Sequence, residues 1–186
     1  MHILIADDES IIRLGLKSML QQLGHEVTAA VNGREALQMI RRRPPDLAIL
    51  DIKMPFTDGL QAAETIARTN PLPIILLTAF SDSDLISKAS DLPIHGYLIK
   101  PVQANEIEAA ISVAVKRFAE NNAYRQKVAN LEKALVERKD IEKAKGRLMQ
   151  SGLNEAEAYK TLQKHARDNR ISLHRAAIAV LKWATP

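Results

Sequence analysis

Four polar groups stand at the ends of four short apolar runs. Ile3-Leu4-Ile5-Ala6 leads into Asp7-Asp8, and Leu47-Ala48-Ile49-Leu50 into Asp51. Ile74-Ile75-Leu76-Leu77 leads into Thr78-Ala79, and Tyr97-Leu98-Ile99 into Lys100-Pro101. Three carboxylates brought together repel one another unless a cation sits between them. Oxygen-only ligands select a hard ion such as Mg²⁺, which prefers octahedral geometry and keeps several waters. With the metal in place, Asp51 becomes a carboxylate nucleophile for an incoming phosphoryl group. Lys100 supplies a point charge for a phosphate oxygen, and Thr78 a hydroxyl.

Such a constellation forms only if the runs are strands of one parallel sheet, whose carboxyl ends lie side by side at the edge where ligands bind. The intervening segments agree. Ser10 is expected to cap a helix bearing Ile12, Leu16, Met19, Leu20 and Leu23, closed by Gly24. Glu26 to Ala30 reads as a strand. Asn32 and Glu35 suggest a capping box for a helix that stops before Pro44-Pro45. Asp58-Gly59 opens a third helix, broken near Pro71, and Ser81 with Asp84 a fourth. Alternating strands and helices imply a doubly wound (βα)5 sheet with right-handed crossovers.

The chain has 186 residues, 46% of them hydrophobic, enough for one large domain or two small ones. No apolar run approaches the ~18 residues of a membrane span. The start, Met1-His2-Ile3, lacks a charged segment before an apolar stretch, so a cytoplasmic protein is expected. With no cysteine, disulfides, thiol catalysis and cysteine-based zinc sites are excluded. His2, His25, His95, His165 and His174 show no metal-ligand spacing, and solvent-facing or packing roles are expected of them. Charge is unevenly placed. Residues 1–115 hold 10 basic and 14 acidic side chains, and residues 116–186 hold 16 and 8. An acidic front half suits metal and phosphate chemistry. The basic remainder suits either a polyanion or a solvated helical surface.

Between Gln103 and Ser151 there is no proline and one glycine, Gly146, so a long helix is expected. Tyr124, Val128, Leu131 and Leu135 follow 4-3-4 spacing, a two-heptad seam that suits a dimeric coiled coil. A helix docked on its own domain is the alternative. Three helices then follow from the apolar positions. The first carries Ile141, Ala144, Leu148 and Met149, and stops at Gly152. The second, with Asn154 and Glu157 as a capping box, carries Ala158, Tyr159, Leu162 and Ala166. The third starts near Ser172 and carries Leu173, Ala176, Ala177, Val180 and Leu181. Glycine inside a helix costs about 1 kcal/mol relative to alanine, so Gly146 needs a packing or contact reason. Lys143 and Arg147 share a face, and Arg138, Lys145, Arg167 and Arg170 add charge. Tyr159 could stack on an unpaired base or fill the core beside Leu162.

Residues 1 to about 120 resemble the receiver domain of bacterial two-component response regulators. Asp7, Asp8 and Asp51 match its acidic triad, Thr78 its switch hydroxyl and Lys100 its lysine, and residues 51–59 its phosphorylation loop. The resemblance implies a flavodoxin-like fold, Asp51 as phosphoacceptor and Mg²⁺ held by Asp7, Asp8, Asp51 and the Lys53 backbone carbonyl. It also implies Tyr97 as a switch aromatic, a cis peptide before Pro101 and a sensor histidine kinase as partner. Residues 131 to 184 resemble the ANTAR domain, an RNA-binding module of antitermination regulators. The matching residues are Arg138, Ile141-Glu142, Ala144-Lys145-Gly146, Leu148-Met149, Ala158-Tyr159, Leu162 and Ala166. This favours Arg138 and Lys145 as RNA contacts.

The expected organisation is a receiver at 1–120, a helical coiled-coil linker at 121–137 and an all-α three-helix RNA-binding domain at 138–186. The resemblances together imply phosphorylation-dependent binding of paired hairpins in leader RNA and antitermination. A DNA-binding regulator is the first alternative, but the alanine-rich last helix lacks the polar face of a recognition helix. A protein-interaction output is the second. An enzyme is the weakest reading, because no second acid or base follows Asp51 closely. Self-catalysed phosphorylation and dephosphorylation are the only chemistry expected.

Overall fold

A computed structural model describes residues 1–79 and 92–183. The fourth helix expected from Ser81 and Asp84 lies outside the described residues. Two compact units divide the chain, Met1–Asn122 and Ala123–Pro186.

The first unit is built on a five-stranded parallel sheet. Its strands are β1 (His2–Ala6), β2 (Glu26–Ala30), β3 (Leu47–Asp51), β4 (Ile74–Thr78) and β5 (Gly96–Ile99), in the order β2-β1-β3-β4-β5. The registers pair Ala6 with Leu50, Asp51 with Leu77, and Thr78 with Ile99. All five residues of β3 and of β4 are buried, as expected of strands covered on both faces. Alternation sends Leu4, Ala48, Leu50 and Leu76 to one face, where α2 (Gly33–Arg42) and α3 (Gly59–Thr69) cover them with Ala36, Ile40, Ala62 and Ile66. Ile3, Ile5, Ile49, Ile75 and Leu77 go to the other. There they meet Leu16 and Leu20 of α1 (Ser10–Gln22) and Ile107, Ile111 and Ala114 of α4 (Ala104–Gln150). Each such Leu or Ile taken out of water contributes about 1.5–3 kcal/mol.

Local signals fix the helix ends. Asp58 accepts from the Gln61 amide and Asn32 from the Glu35 amide. The Glu35 carboxylate reaches one residue farther than a capping box requires, to the Val31 amide. Ser10 is a correction: it lies inside α1, and Glu9 occupies the cap without a side-chain hydrogen bond. The reason is that Asp7 Oδ1 already accepts from the Glu9 amide at 2.9 Å and shapes this entry. His95 is a buried packing residue. Its Nδ1 accepts from the Ile74 amide at 3.2 Å, and its ring meets Phe118 edge-on with centroids 5.2 Å apart.

The long helix is present as 47 residues, Ala104–Gln150. Every residue from 119 to 136 is exposed, including Tyr124, Leu131 and Leu135 at 70%, 58% and 66%. In the second unit, α4 packs with α5 (Glu155–Asp168) and α6 (Leu173–Trp183) around Ala144, Leu162 and Ala177. The Asn154–Glu157 capping box is formed, and Gly152 takes a positive φ of 101° after α4. No helix among the described residues is long and apolar enough to cross a membrane.

Gly59 carries a sharp steric constraint: a Cβ there would lie 2.1 Å from the Asp51 carbonyl oxygen. Substituting Gly59→Ala is therefore expected to destabilise the protein by about 1–3 kcal/mol, the usual penalty of forced overpacking. Urea unfolding of the two proteins checks this.

Candidate phosphoacceptor site

The edge formed by the carboxyl ends of β1, β3, β4 and β5 collects the polar groups expected there. Asp7 follows β1 and Asp51 closes β3, so the central strands β1 and β3 place these two carboxylates as neighbours. This lies at the point where strand order reverses, the general ligand position of open α/β sheets. Asp7 is 0% and Asp51 5% exposed, while Asp8 faces solvent. One oxygen from each of the three lies within 4.8 Å of the others.

Lys100, delivered by β5, holds the buried pair together. Its Nζ lies 2.7 Å from Asp7 Oδ2, 2.8 Å from Asp51 Oδ1 and 3.7 Å from Glu9 Oε1. Burial of Asp51 raises its pKa. The Lys100 hydrogen bond and charge oppose this, and Asp7 and Asp8 add to it. Burial pushes the Lys100 ammonium down, but hydrogen bonds to Asp51 and Asp7 outweigh it and leave the pKa raised. One ammonium cannot neutralise three carboxylates. Asp7 Oδ2 is buried, with the Lys100 ammonium 2.7 Å away. The donor set is all oxygen and carries excess negative charge, and it fits a hard divalent cation. A cleft of about 320 Å³ lined by Asp8, Glu9, Asp51, Lys53, Ala79 and Lys100 opens above it.

The remaining expected residues are placed as follows. Thr78 ends β4 one residue past Leu77, the partner of Asp51, and its buried hydroxyl donates to the Ala79 carbonyl at 3.1 Å. Tyr97 lies on β5 at 37% exposure, and partial burial raises its phenol pKa. The Lys100–Pro101 peptide is cis. Two contributors escaped the sequence reading. Arg13 donates to the carbonyls of Asp7 and Asp8 at 2.8 and 2.9 Å, fixing the acidic loop. Phe56 adopts a positive φ of 68° at 77% exposure beneath the Arg34 guanidinium. Only the proximity in sequence of Arg13 to two acids could have flagged the first.

In the second unit Arg138, Lys143, Arg167 and Arg170 are exposed, and Tyr159 is 39% exposed. Lys145 is not displayed: it is 9% exposed, with Nζ 2.7 Å from Glu155 Oε1 and 3.1 Å from Glu142 Oε2. The Glu155 bond first, then Glu142, raises its pKa. Its physical position is that of an intramolecular bridge from α4 to the first turn of α5. Arg147 donates to the Leu181 carbonyl at 3.1 Å, one of the last carbonyls of α6.

A parallel five-stranded sheet with an acidic, lysine-bridged pocket at its carboxyl edge defines a receiver. Residues 3–112 match the response regulator receiver domain, and residues 129–181 match the ANTAR domain. The chain therefore belongs to the two-component response regulators, phosphorylation-controlled transcription regulators, in the branch that joins a receiver to an ANTAR domain. It is 42% identical over 183 residues to the transcriptional regulatory protein PdtaR of Mycobacterium tuberculosis, covering 97% of this chain and 89% of that protein. A probable transcriptional regulator, ycf27 of Cyanidium caldarium, is 40% identical over 124 residues, 66% of this chain and 49% of that protein. A receiver domain structure from Clostridium thermocellum superposes with a TM-score of 0.56 at 34% identity, covering 62% of this chain and 94% of that one. Receiver domains bind Mg²⁺ through an acidic pocket, and an acidic cluster that could hold a metal is present here.

Because burial raises the Asp51 pKa, the ionised form is disfavoured in the folded state. The stability Asp51 contributes is then fully present below its unfolded pKa of about 3.9 and is lost as pH rises through the folded value. Asp51→Asn is expected to raise the thermal midpoint at pH 7 in chelator, with the gain shrinking to nothing as pH falls below the carboxylate range. A pH series of calorimetric scans on both proteins checks the sign.

Proposed function

We propose that the protein is a phosphorylation-gated, RNA-binding antiterminator. The observation that carries the reading is the joint presence of the Asp7–Asp8–Asp51–Lys100 pocket and an ANTAR match in one chain. A sensor histidine kinase donates the phosphoryl group. An Asp51 carboxylate oxygen attacks phosphorus, the bond to the kinase histidine breaks, and an acyl phosphate forms. Asp7, Asp8, Asp51 and the Lys53 carbonyl would hold Mg²⁺, which supplies charge neutralisation for the arriving phosphoryl oxygens. Lys100 leaves its bridge to engage one phosphoryl oxygen, and the Thr78 hydroxyl turns from the Ala79 carbonyl to another. Tyr97 moves inward behind Thr78, which alters the surface around β5. No further chemical step is assigned to the protein beyond self-catalysed phosphoryl transfer and its reversal by water.

The output is dimerisation and RNA binding. Tyr124, Val128, Leu131 and Leu135 form an exposed apolar stripe that a second copy would cover, and the receiver biases that association. Two ANTAR units then engage paired leader hairpins through Arg138, Lys143, Arg167 and Arg170, with Tyr159 available for stacking. Lys145 is assigned to holding α4 and α5 together. The functional division is a receiver at 1–120, a coiled-coil linker at 121–137 and an RNA-binding domain at 138–186. The protein works in the cytoplasm, where nascent RNA is.

The kinase needs a surface beside Asp51. Ile11 and Leu14 on α1 are 82% and 68% exposed. Ile11 also lines a cleft of about 140 Å³ with Gly15, Lys100, Pro101 and Val102. A kinase helix seated there reaches the pocket that Lys100 shares. Ile11→Asp with Leu14→Asp is expected to slow phosphorylation by the kinase while leaving phosphorylation by acetyl phosphate unchanged. Equal loss with both donors, followed on phosphate-affinity gels, would refute the docking surface.

The central test is RNA binding with and without beryllofluoride plus Mg²⁺, using a tandem-hairpin leader RNA, matched duplex DNA and light scattering for mass. Affinity for RNA is expected to rise together with dimer mass, and Asp51→Asn to abolish the rise. Equal affinity in both states would remove the gating, and preference for DNA would redirect the output to promoters.

A further inference from the structure

We propose that the outer face of α4 around Gly146 is where the sugar-phosphate backbone of bound RNA lies against the protein, flanked by Lys139, Lys143 and Gln150. The inference rests on the RNA-binding reading above and assigns it a surface. It starts from a residue that nothing inside the chain explains. Glycine is among the poorest helix formers, and α4 continues four residues beyond Gly146. Gly24 and Gly152 take positive φ, and a Cβ at Gly33 or Gly59 would strike backbone. A Cβ on Gly146 would meet no atom within 4 Å, and the residue is exposed. Gly15, exposed inside α1, also faces open space and lines the cleft beside Lys100. Packing within the chain does not require Gly146. Close approach of something outside the chain would give it a reason.

The neighbours indicate what approaches. Lys139, Lys143, Gly146 and Gln150 sit at i, i+4, i+7 and i+11, so they share one face of the helix. All four are exposed. The opposite face carries Ile141, Ala144 and Leu148 into the core of the second unit. The carboxylates nearby are directed elsewhere. Both oxygens of Glu142 are taken by Lys145 Nζ, at 3.2 and 3.1 Å. Asp140 and Glu137 face His174, at 3.0 and 3.9 Å. The face therefore presents two cations, an amide side chain and a strip of bare backbone. A phosphate backbone is drawn by the cations and can press close where no Cβ intervenes. A second copy of the chain would want an apolar seam, and Lys139 and Lys143 do not provide one.

This view gives the buried Lys145 a second consequence. By holding both oxygens of Glu142, it withdraws a negative charge from the face that the phosphates would meet.

The test uses the full chain with beryllofluoride, Mg²⁺ and the tandem-hairpin RNA. Gly146→Ala should raise the thermal midpoint of the free protein, since the Cβ meets open space in a helix. The same substitution should weaken RNA binding about tenfold, which at 25 °C corresponds to ~1.4 kcal/mol, and Gly146→Leu should weaken it more. Lys143→Gln should weaken binding and lower the slope of log affinity against log salt by about one. Dimer mass by light scattering should not change in any of them. RNA affinity unchanged in both Gly146 variants, with tight binding by the unsubstituted protein, would overturn this surface and leave the RNA reading intact. Loss of dimer mass in the Gly146 variants would assign the face to a second copy and overturn the proposal. Failure of the unsubstituted protein to bind RNA would overturn both.

Discussion

The Lys100 ammonium between Asp7 and Asp51 is the contact on which the first unit depends. It joins two carboxylates that are 0% and 5% exposed, at 2.7 and 2.8 Å. Their burial follows from the sheet: β1 and β3 are its central strands, and each delivers an aspartate at its carboxyl end. Lys100 arrives from the edge strand β5, so the bridge also fixes how β5 closes the sheet. The compensation is incomplete by design of the residue set, because three acids face one base. That imbalance makes the pocket receptive to a cation and then to a phosphoryl group.

Much of this was legible in the sequence, for reasons that can be stated. Strands covered on both faces must be apolar throughout, so runs such as Ile74-Ile75-Leu76-Leu77 announce themselves. The residues that break such runs stand at strand ends, and in a parallel sheet all those ends share one edge. Asn32, Asp58 and Asn154 cap helices as their spacing implied. The receiver and ANTAR resemblances both hold. What the sequence concealed was which neighbouring groups pair once the loop is shaped. Nothing in the spacing of Ser10 disclosed that Asp7 already held the Glu9 amide, displacing the cap by one residue. Arg13 binding the Asp7 and Asp8 carbonyls depends on the exit angle of that same loop.

The C-terminal unit shows why charge is a poor guide to contact. Arg138, Lys143, Lys145 and Arg147 look equivalent as letters. In the fold, Arg138 and Lys143 are exposed, Lys145 is enclosed, and Arg147 is spent on a helix carbonyl. A long basic side chain reaches about as far as a helix is wide, so its partner is decided by which element packs beside it. Glu155, ten residues beyond Lys145, becomes that partner only because Gly152 turns the chain back after α4.

Lys100 and Lys145 make the same kind of contact to opposite effect. Each ammonium bridges two carboxylates. Around Lys100 the acids are buried and the cation, its side chain 17% exposed, sits at the mouth of a cleft. Around Lys145 the acids are 59% and 70% exposed and the cation is the enclosed group, at 11%. The first arrangement holds unsatisfied negative charge in place and can be reorganised by an incoming anion that competes for the ammonium. The second already matches one cation with well-solvated carboxylates that can stay in water if the bridge breaks, so it gains little by changing partner. A buried excess of charge is a site waiting for a ligand, whereas a lysine saturated by surface acids is a fastening. That distinction is drawn from burial rather than from residue type.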